Sequence, residues 1–207
     1  MTTVARRKEH THEQIKHMAI EAVVMHLQHD NLHSLSLRKV ASQIGYVPST
    51  LINIFGSYQY LLLAVSEQTL VNLSTVLQGL TLQAPITNIQ NMAMAYSDFA
   101  LQHKSCFRLV FELTMPDDQP LPQNHTTIVK SLFALVESQL RSYFTGINEP
   151  QAELMSRVLW GGIHGLTTLA LDEKLFATHN DLHTMLCSHV QGYIAGISKT
   201  GSLHDIN

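Results

Sequence analysis

The sequence is poor in charge, in cysteine and in long apolar runs. Asp, Glu, Lys and Arg make up 14% of the 207 residues, against 45% hydrophobic ones. Disordered chains have the opposite balance, with too few apolar side chains to offset the entropy of ordering, so a sizeable packed core is expected. Cys106 and Cys187 are its two cysteines. They share no spacing motif, which argues against a disulfide framework and suits a reducing, cytoplasmic setting. The longest apolar runs, such as LLLAV, fall far short of the ~20 residues a bilayer helix needs. The basic start, MTTVARRKEHTH, has no apolar stretch behind it, so a secretory signal is not expected. Also missing are HExxH, a P-loop, GxGxxG after a strand and a GxSxG elbow. With none of these, an enzyme is not expected and no cofactor is implied. There is no internal repeat and no low-complexity segment.

What is present is helical periodicity, with no convincing strand alternation. A first helix is expected over about 13–29, burying Ile15, Met18, Ala19, Ala22, Val23 and His26 or Leu27, with Asp30-Asn31 as a stop. Ser36 can cap a second helix, along which Leu37, Val40, Ala41 and Ile44 form one stripe. Gly45 stands where a helix end wants positive φ. Pro48 can open a third helix, anchored by Leu51 and Phe55. After Gly56-Ser57 a long amphipathic helix carries Tyr58, Leu61, Leu62, Val65, Thr69, Leu73, Val76 and Leu77 on one side. Further helices are expected over about 86–103, 104–114, 125–144, 151–171 and 181–199. The proline-rich MPDDQPLPQN, residues 115–124, is read as a loop. The expected fold is all-α, with a small front domain over 1–56 and a larger helical bundle over 57–207.

The order helix, LSLRKVASQIG, short turn, PSTLINIF, long helix resembles the DNA-binding domain of the TetR family of bacterial transcriptional regulators. Trp160, His164, Gly165 and Leu169 form WxxxHGxxxL, similar to the signature of the WHG-motif class of C-terminal ligand-binding and dimerisation domains in that family. CFRLVFEL is similar to a segment of the same class, with Lys104 where a proline is common. The resemblance implies a homodimer paired through the last two helices, a double-stranded DNA operator, and a small-molecule effector whose binding shifts the spacing of the two third helices. Repression released by ligand is the commonest behaviour in the family.

The front domain departs from the family pattern where DNA would be touched. The usual capping Ser or Thr before the proline is Val47. Ile52 and Ile54 stand where polar, phosphate-touching groups are usual, and Tyr58 stands where a lysine is common. No Lys or Arg lies between Lys39 and Lys104. Residues 1–60 carry six Lys/Arg against four acids, a net +2, which leaves −5 for the rest of a chain of net charge −3. DNA binding would draw on Arg38, Lys39 and the arm Arg6-Arg7-Lys8, which could enter a minor groove. Ser49, Thr50, Asn53 and Tyr58 remain as hydrogen-bonding groups, Asn53 being suited to adenine. Since each neutralised phosphate adds about 0.9 to the salt slope, weak affinity with shallow salt dependence is expected. The alternatives are a family member acting through protein contacts, which exposed front-domain isoleucines would favour, and a binding protein for a lipid-like ligand.

Six of the thirteen histidines fall in the front domain (His10, His12, His17, His26, His29, His33). A free imidazole gains charge below about pH 6.5, so acid could make this face more cationic; a solvated surface without function gives the same composition. His179, His183 and Cys187 are spaced four apart and could hold zinc from one helix. Asn180-Asp181 reads as a helix start that leaves His179 outside, so no metal site is expected. In the body, Met92, Tyr96, Phe99, Phe107, Phe111, Phe133, Trp160 and His164 are the candidate walls of an apolar ligand site; the same residues would serve an ordinary core. Gly161, Gly162 and Gly165 within one helix call for close helix approach, since each costs about 1 kcal/mol relative to alanine.

Overall fold

The computed structural model describes residues 10–117, 120–175 and 178–200. Among them the protein is all-α, without a strand. The helices are α1 (His12–His29), α2 (Leu37–Gln43), α3 (Pro48–Phe55), α4 (Tyr58–Gln78), α5 (Pro85–Gln102), α6 (Lys104–Glu112), α7 (Gln123–Tyr143), α8 (Glu149–Leu171) and α9 (His179–Thr200).

Four of the helices, α1, α2, α8 and α9, begin where a side chain accepts from a free backbone N–H group. The Thr11 hydroxyl accepts from Gln14 N while the Gln14 side chain accepts from Thr11 N, a reciprocal box that opens α1. Ser36 accepts from Lys39 N at the start of α2. Asn148 and Gln151 repeat the box at α8, and Thr178 and Asp181 do the same at α9. That last pair moves the start of α9 to His179, two residues before the expected one, and so places His179 within the helix. Between α2 and α3 the chain turns at Gly45, whose φ of +77° is costly for a residue with a β-carbon. Pro48 then lies in the first turn of α3. One further element, a 3-10 turn over Leu32–Ser34, follows α1 and is capped by the Asn31 side chain.

The chain packs as two compact units. The first holds Met1–Thr69 together with Ser105–Pro120; the second holds Leu70–Lys104 and Leu121–Asn207. The first unit reaches beyond residue 56 for a physical reason. Leu61, Leu62 and Val65 of α4, and Cys106 and Leu109 of α6, complete the core that Ile15, Ala19, Val23, Val40, Ala41 and Leu51 begin. In the second unit α5 packs on α7, α8 and α9, and α8 packs on α7 and α9. Ile89, Leu140, Met155, Leu159, Leu182, Leu186 and Val190 are almost fully buried there. By length and composition α4 could cross a membrane, but half of its most apolar window is buried within the fold, as a core helix requires.

Candidate functional site

The α2–α3 pair sorts its residues by helical spacing. Leu51 is fully buried, and Phe55 and Ile54 pack partly buried against the same core. This leaves Ser49, Ile52 and Asn53 exposed on the outer side of α3, with Thr50 half-buried. The two isoleucines therefore part company: Ile54 faces the core, and Ile52 is 40% exposed. Val47 has the extended backbone of a helix cap (φ −98°, ψ 153°) but makes no side-chain cap bond. Arg38 is exposed, and the Lys39 ammonium donates to the Ser34 carbonyl. His10 Nδ1 lies 2.8 Å from the Tyr46 hydroxyl, tying the residue just past the basic arm to the turn before α3. Arg6, Arg7 and Lys8 themselves lie outside the described residues.

Tyr58 corrects an expectation. It packs against the first unit's core, and its hydroxyl is buried without a hydrogen-bond partner among the described residues. Burial pushes its pKa up, so the phenol stays neutral. Its place on the inward stripe of α4, with Leu61, Leu62 and Val65, outweighs its polar tip, and it offers no phosphate contact in this orientation.

In the second unit Tyr96, Trp160 and His164 come together. The Trp160 indole N–H donates to the Tyr96 hydroxyl at 3.3 Å, and that hydroxyl lies 2.9 Å from His164 Nδ1. The indole and imidazole rings stack, with centroids 5.0 Å apart and 19° between planes. His164 Nε2 lies 3.4 Å from Thr168 Oγ1. An indole N–H can only donate, so one consistent assignment runs Trp160 to Tyr96 to His164 to Thr168, with the imidazole proton on Nε2. Burial pushes the Tyr96 phenol far up and the His164 imidazole down, holding both neutral. Phe133 meets Trp160 edge-on at 5.7 Å, and the Arg157 guanidinium lies over Phe133 at 4.8 Å while pairing with Glu153 at 2.6 Å. Met92 and Phe99 are buried on α5, the Phe99 ring beside His103. Phe107 and Phe111 belong to the first unit, where their rings pack on each other at 5.0 Å. Thr168 and Arg157 were not anticipated, although the His164–Thr168 spacing of four was there to find.

The glycines of α8 divide into two kinds. A β-carbon on Gly162 would lie 2.2 Å from His189 Nε2, so this glycine admits the α9 imidazole that reaches the Leu159 carbonyl. Among the described residues, a β-carbon on Gly161 or Gly165 would meet nothing within 4 Å, and the same holds for Gly192 and Gly196 on α9. Beside them Leu154, Val158 and Leu169 of α8 are 48%, 46% and 42% exposed. These positions recur at helical spacing, so α8 and α9 each carry a face of small and apolar residues turned away from their own core.

Residues 89–193, just over half of the chain, match the sequence model of the tetracyclin repressor-like C-terminal domain. The chain belongs to the TetR family. As a TetR-family protein it is a transcriptional regulator with a helix-turn-helix front unit, and not an enzyme. Its fold is shared with a TetR transcriptional regulator from Rhodococcus sp. RHA1 (13% identity, TM-score 0.65, covering 95% of this chain and 100% of that one). It is shared too with BioQ, solved with its double-stranded DNA operator (19%, 0.64, 90% and 99%). A third is the TetR-family repressor FadR of Thermus thermophilus, solved with lauroyl-CoA (16%, 0.64, 88% and 94%). No curated protein matches the chain in sequence.

Proposed function

We propose that this TetR-family protein is a homodimeric repressor whose operator binding is modulated by a small apolar or amphipathic effector. The observation that carries the DNA half of this reading is the outer face of α3, where Ser49, Ile52 and Asn53 stand exposed over a buried Leu51. Asn53 reads adenine in the major groove, and Ile52 meets a thymine methyl. Arg38, Lys39 and the arm Arg6-Arg7-Lys8 supply the phosphate contacts, and the His10–Tyr46 bond holds the arm's root at the turn before α3. Two front units, one from each protomer, read half-sites about one helical turn of DNA apart.

The effector site centres on Tyr96, Trp160 and His164, with Met92, Phe99 and Phe133 as apolar neighbours. Its polar atoms are few and aligned, the pattern by which apolar pockets orient one polar end of a ligand. A ligand that binds better when the front units are out of register weakens operator binding by that difference in affinity. A role at an operator implies a cytoplasmic protein. FadR's lauroyl-CoA is consistent with an acyl-type effector here.

The test is selection of bound sequences from a random duplex pool by the full-length chain. Enrichment of a palindrome, with loss of enrichment in Asn53→Ala, supports the reading. Absence of any enriched sequence turns it toward the second reading, a regulator working through protein contacts, for which the exposure of Val47 and Ile52 is the supporting observation.

A further inference from the structure

Asp98, on α5, faces two histidines of α9. Its Oδ1 lies 2.8 Å from His179 Nε2 and 2.7 Å from His183 Nε2. The two imidazole rings are tilted against each other with centroids 4.2 Å apart. All three donor atoms lie within 4.8 Å of one another. Cys187, the expected third member of the stripe, instead points its Sγ at Met94 Sδ, 3.9 Å away. The nearby Asp181 carboxylate is committed to the Thr178 N–H and hydroxyl at 2.9 and 2.7 Å. The carboxylate that meets both imidazoles comes from 81 and 85 residues upstream.

We propose that Asp98, His179 and His183 bind a divalent transition-metal ion of the zinc class. Two imidazole nitrogens four residues apart on one helix, with one carboxylate oxygen from the facing helix, form a set that zinc, cobalt(II) and nickel(II) accept. Calcium and magnesium call for oxygen ligands and are excluded by the same chemistry. Three protein donors leave a fourth position for water, and the exposure of His179 gives it access to solvent. Ligand atoms around a tetrahedral ion with bonds near 2.0–2.1 Å sit about 3.3 Å apart. The two Asp98–imidazole distances, 2.8 and 2.7 Å, are shorter than this by roughly half an ångström, an opening that side-chain rotation provides. Binding only to the folded chain, the ion ties the first turns of α9 to α5 and raises stability by mass action.

The competing account is a hydrogen-bonded His–Asp–His trio without an ion. The experiment uses the full-length chain stripped with chelator, titrated with Zn2+ by calorimetry and with Co2+ by visible absorption, with unfolding temperature as a second readout. The expected result is one Zn2+ per chain at this site, a higher unfolding temperature with Zn2+, and Co2+ bands typical of nitrogen and oxygen ligands. Asp98→Asn keeps an oxygen that can accept from an imidazole but removes the anionic ligand; it and His183→Gln weaken Zn2+ binding at least ten-fold and abolish the Co2+ bands. Cys187→Ser binds as the parent does. Should Asp98→Asn fail to fold, His179→Gln, at the exposed end of the site, carries the same test. Equal Zn2+ affinity in the parent and the ligand variants, or a parent whose unfolding temperature does not respond to Zn2+, overturns the proposal.

Discussion

His164 spends part of its hydrogen bonding on Tyr96 and part on Thr168, and it is neutral when it does so. Burial lowers its pKa in the folded protein. The unfolded chain then binds more protons than the folded one as pH falls below the usual imidazole range, so this contribution to stability is present above about pH 6.5 and is lost as pH falls through the lowered folded value. His164→Asn removes that dependence. The stability gap between parent and variant, measured by urea unfolding, is expected to narrow from pH 7.5 to pH 5; a constant gap would show that burial does not govern the site. Gly162 makes a separate test. Alanine there gains helix propensity of about 1 kcal/mol but meets the His189 ring, and overpacking of this kind costs about 1–3 kcal/mol. Gly162→Ala is therefore expected to destabilise, and His189→Ala in the same chain to recover most of the loss in a double-mutant cycle. Residue types and short spacings were readable in advance: Trp160 and His164 share a face because they are four apart. Tyr96 joins them from 64 and 68 residues away, a juxtaposition that only the packing of α5 on α8 creates.

At the scale of elements, α3 is the helix proposed to enter the DNA groove, and like α5 and α7 it starts without a side-chain cap. Val47 already holds the backbone of a capping residue and is 59% exposed, so Val47→Ser adds an acceptor without disturbing the core. Such a cap is expected to add ~1 kcal/mol to stability, read as a shifted urea midpoint at unchanged slope, and to tighten operator binding by reducing fraying. On α2, Arg38→Ala would remove one of the proposed phosphate contacts per protomer. The slope of log affinity against log salt is expected to fall by about 1.8 for the dimer, and an unchanged slope would take Arg38 out of the interface. Helix bounds were largely legible because their determinants are local: Ser36, Gly45 and Pro48 lie within a turn of the ends they set. What was less legible was of two kinds. The α9 start was set by a Thr178–Asp181 box that competed with Asn180-Asp181 as a signal. The burial of the Tyr58 hydroxyl, and the joining of α6 to the front unit, depend on residues remote in sequence.

For the whole molecule, the decisive question is what covers the outer faces of α8 and α9. Gly161, Gly165, Gly192 and Gly196 have open space where a β-carbon would go, next to exposed Leu154 and Val158. In an isolated chain, alanine at Gly161 and Gly165 should be favourable, since each replacement gains up to ~1 kcal/mol of helix propensity. If these faces meet their symmetry mates, self-complementary contact makes each change count twice, and the added methyl groups hold the helices apart. Gly161→Ala and Gly165→Ala together are thus expected to weaken the dimer in sedimentation equilibrium even though the helix itself is strengthened, and Val158→Asp, which buries a charge in the same contact, to yield monomer. Operator binding by these variants should fall in step with dimer content, because a lone front unit engages one half-site. Gly162→Ala separates the two effects: its clash is with His189 of the same chain, so it should lower stability of the protomer without a comparable loss of self-association. A chain that stays dimeric with both Gly161→Ala and Val158→Asp would show that the pairing surface lies elsewhere and that the small-residue face of α8 has some other occupant.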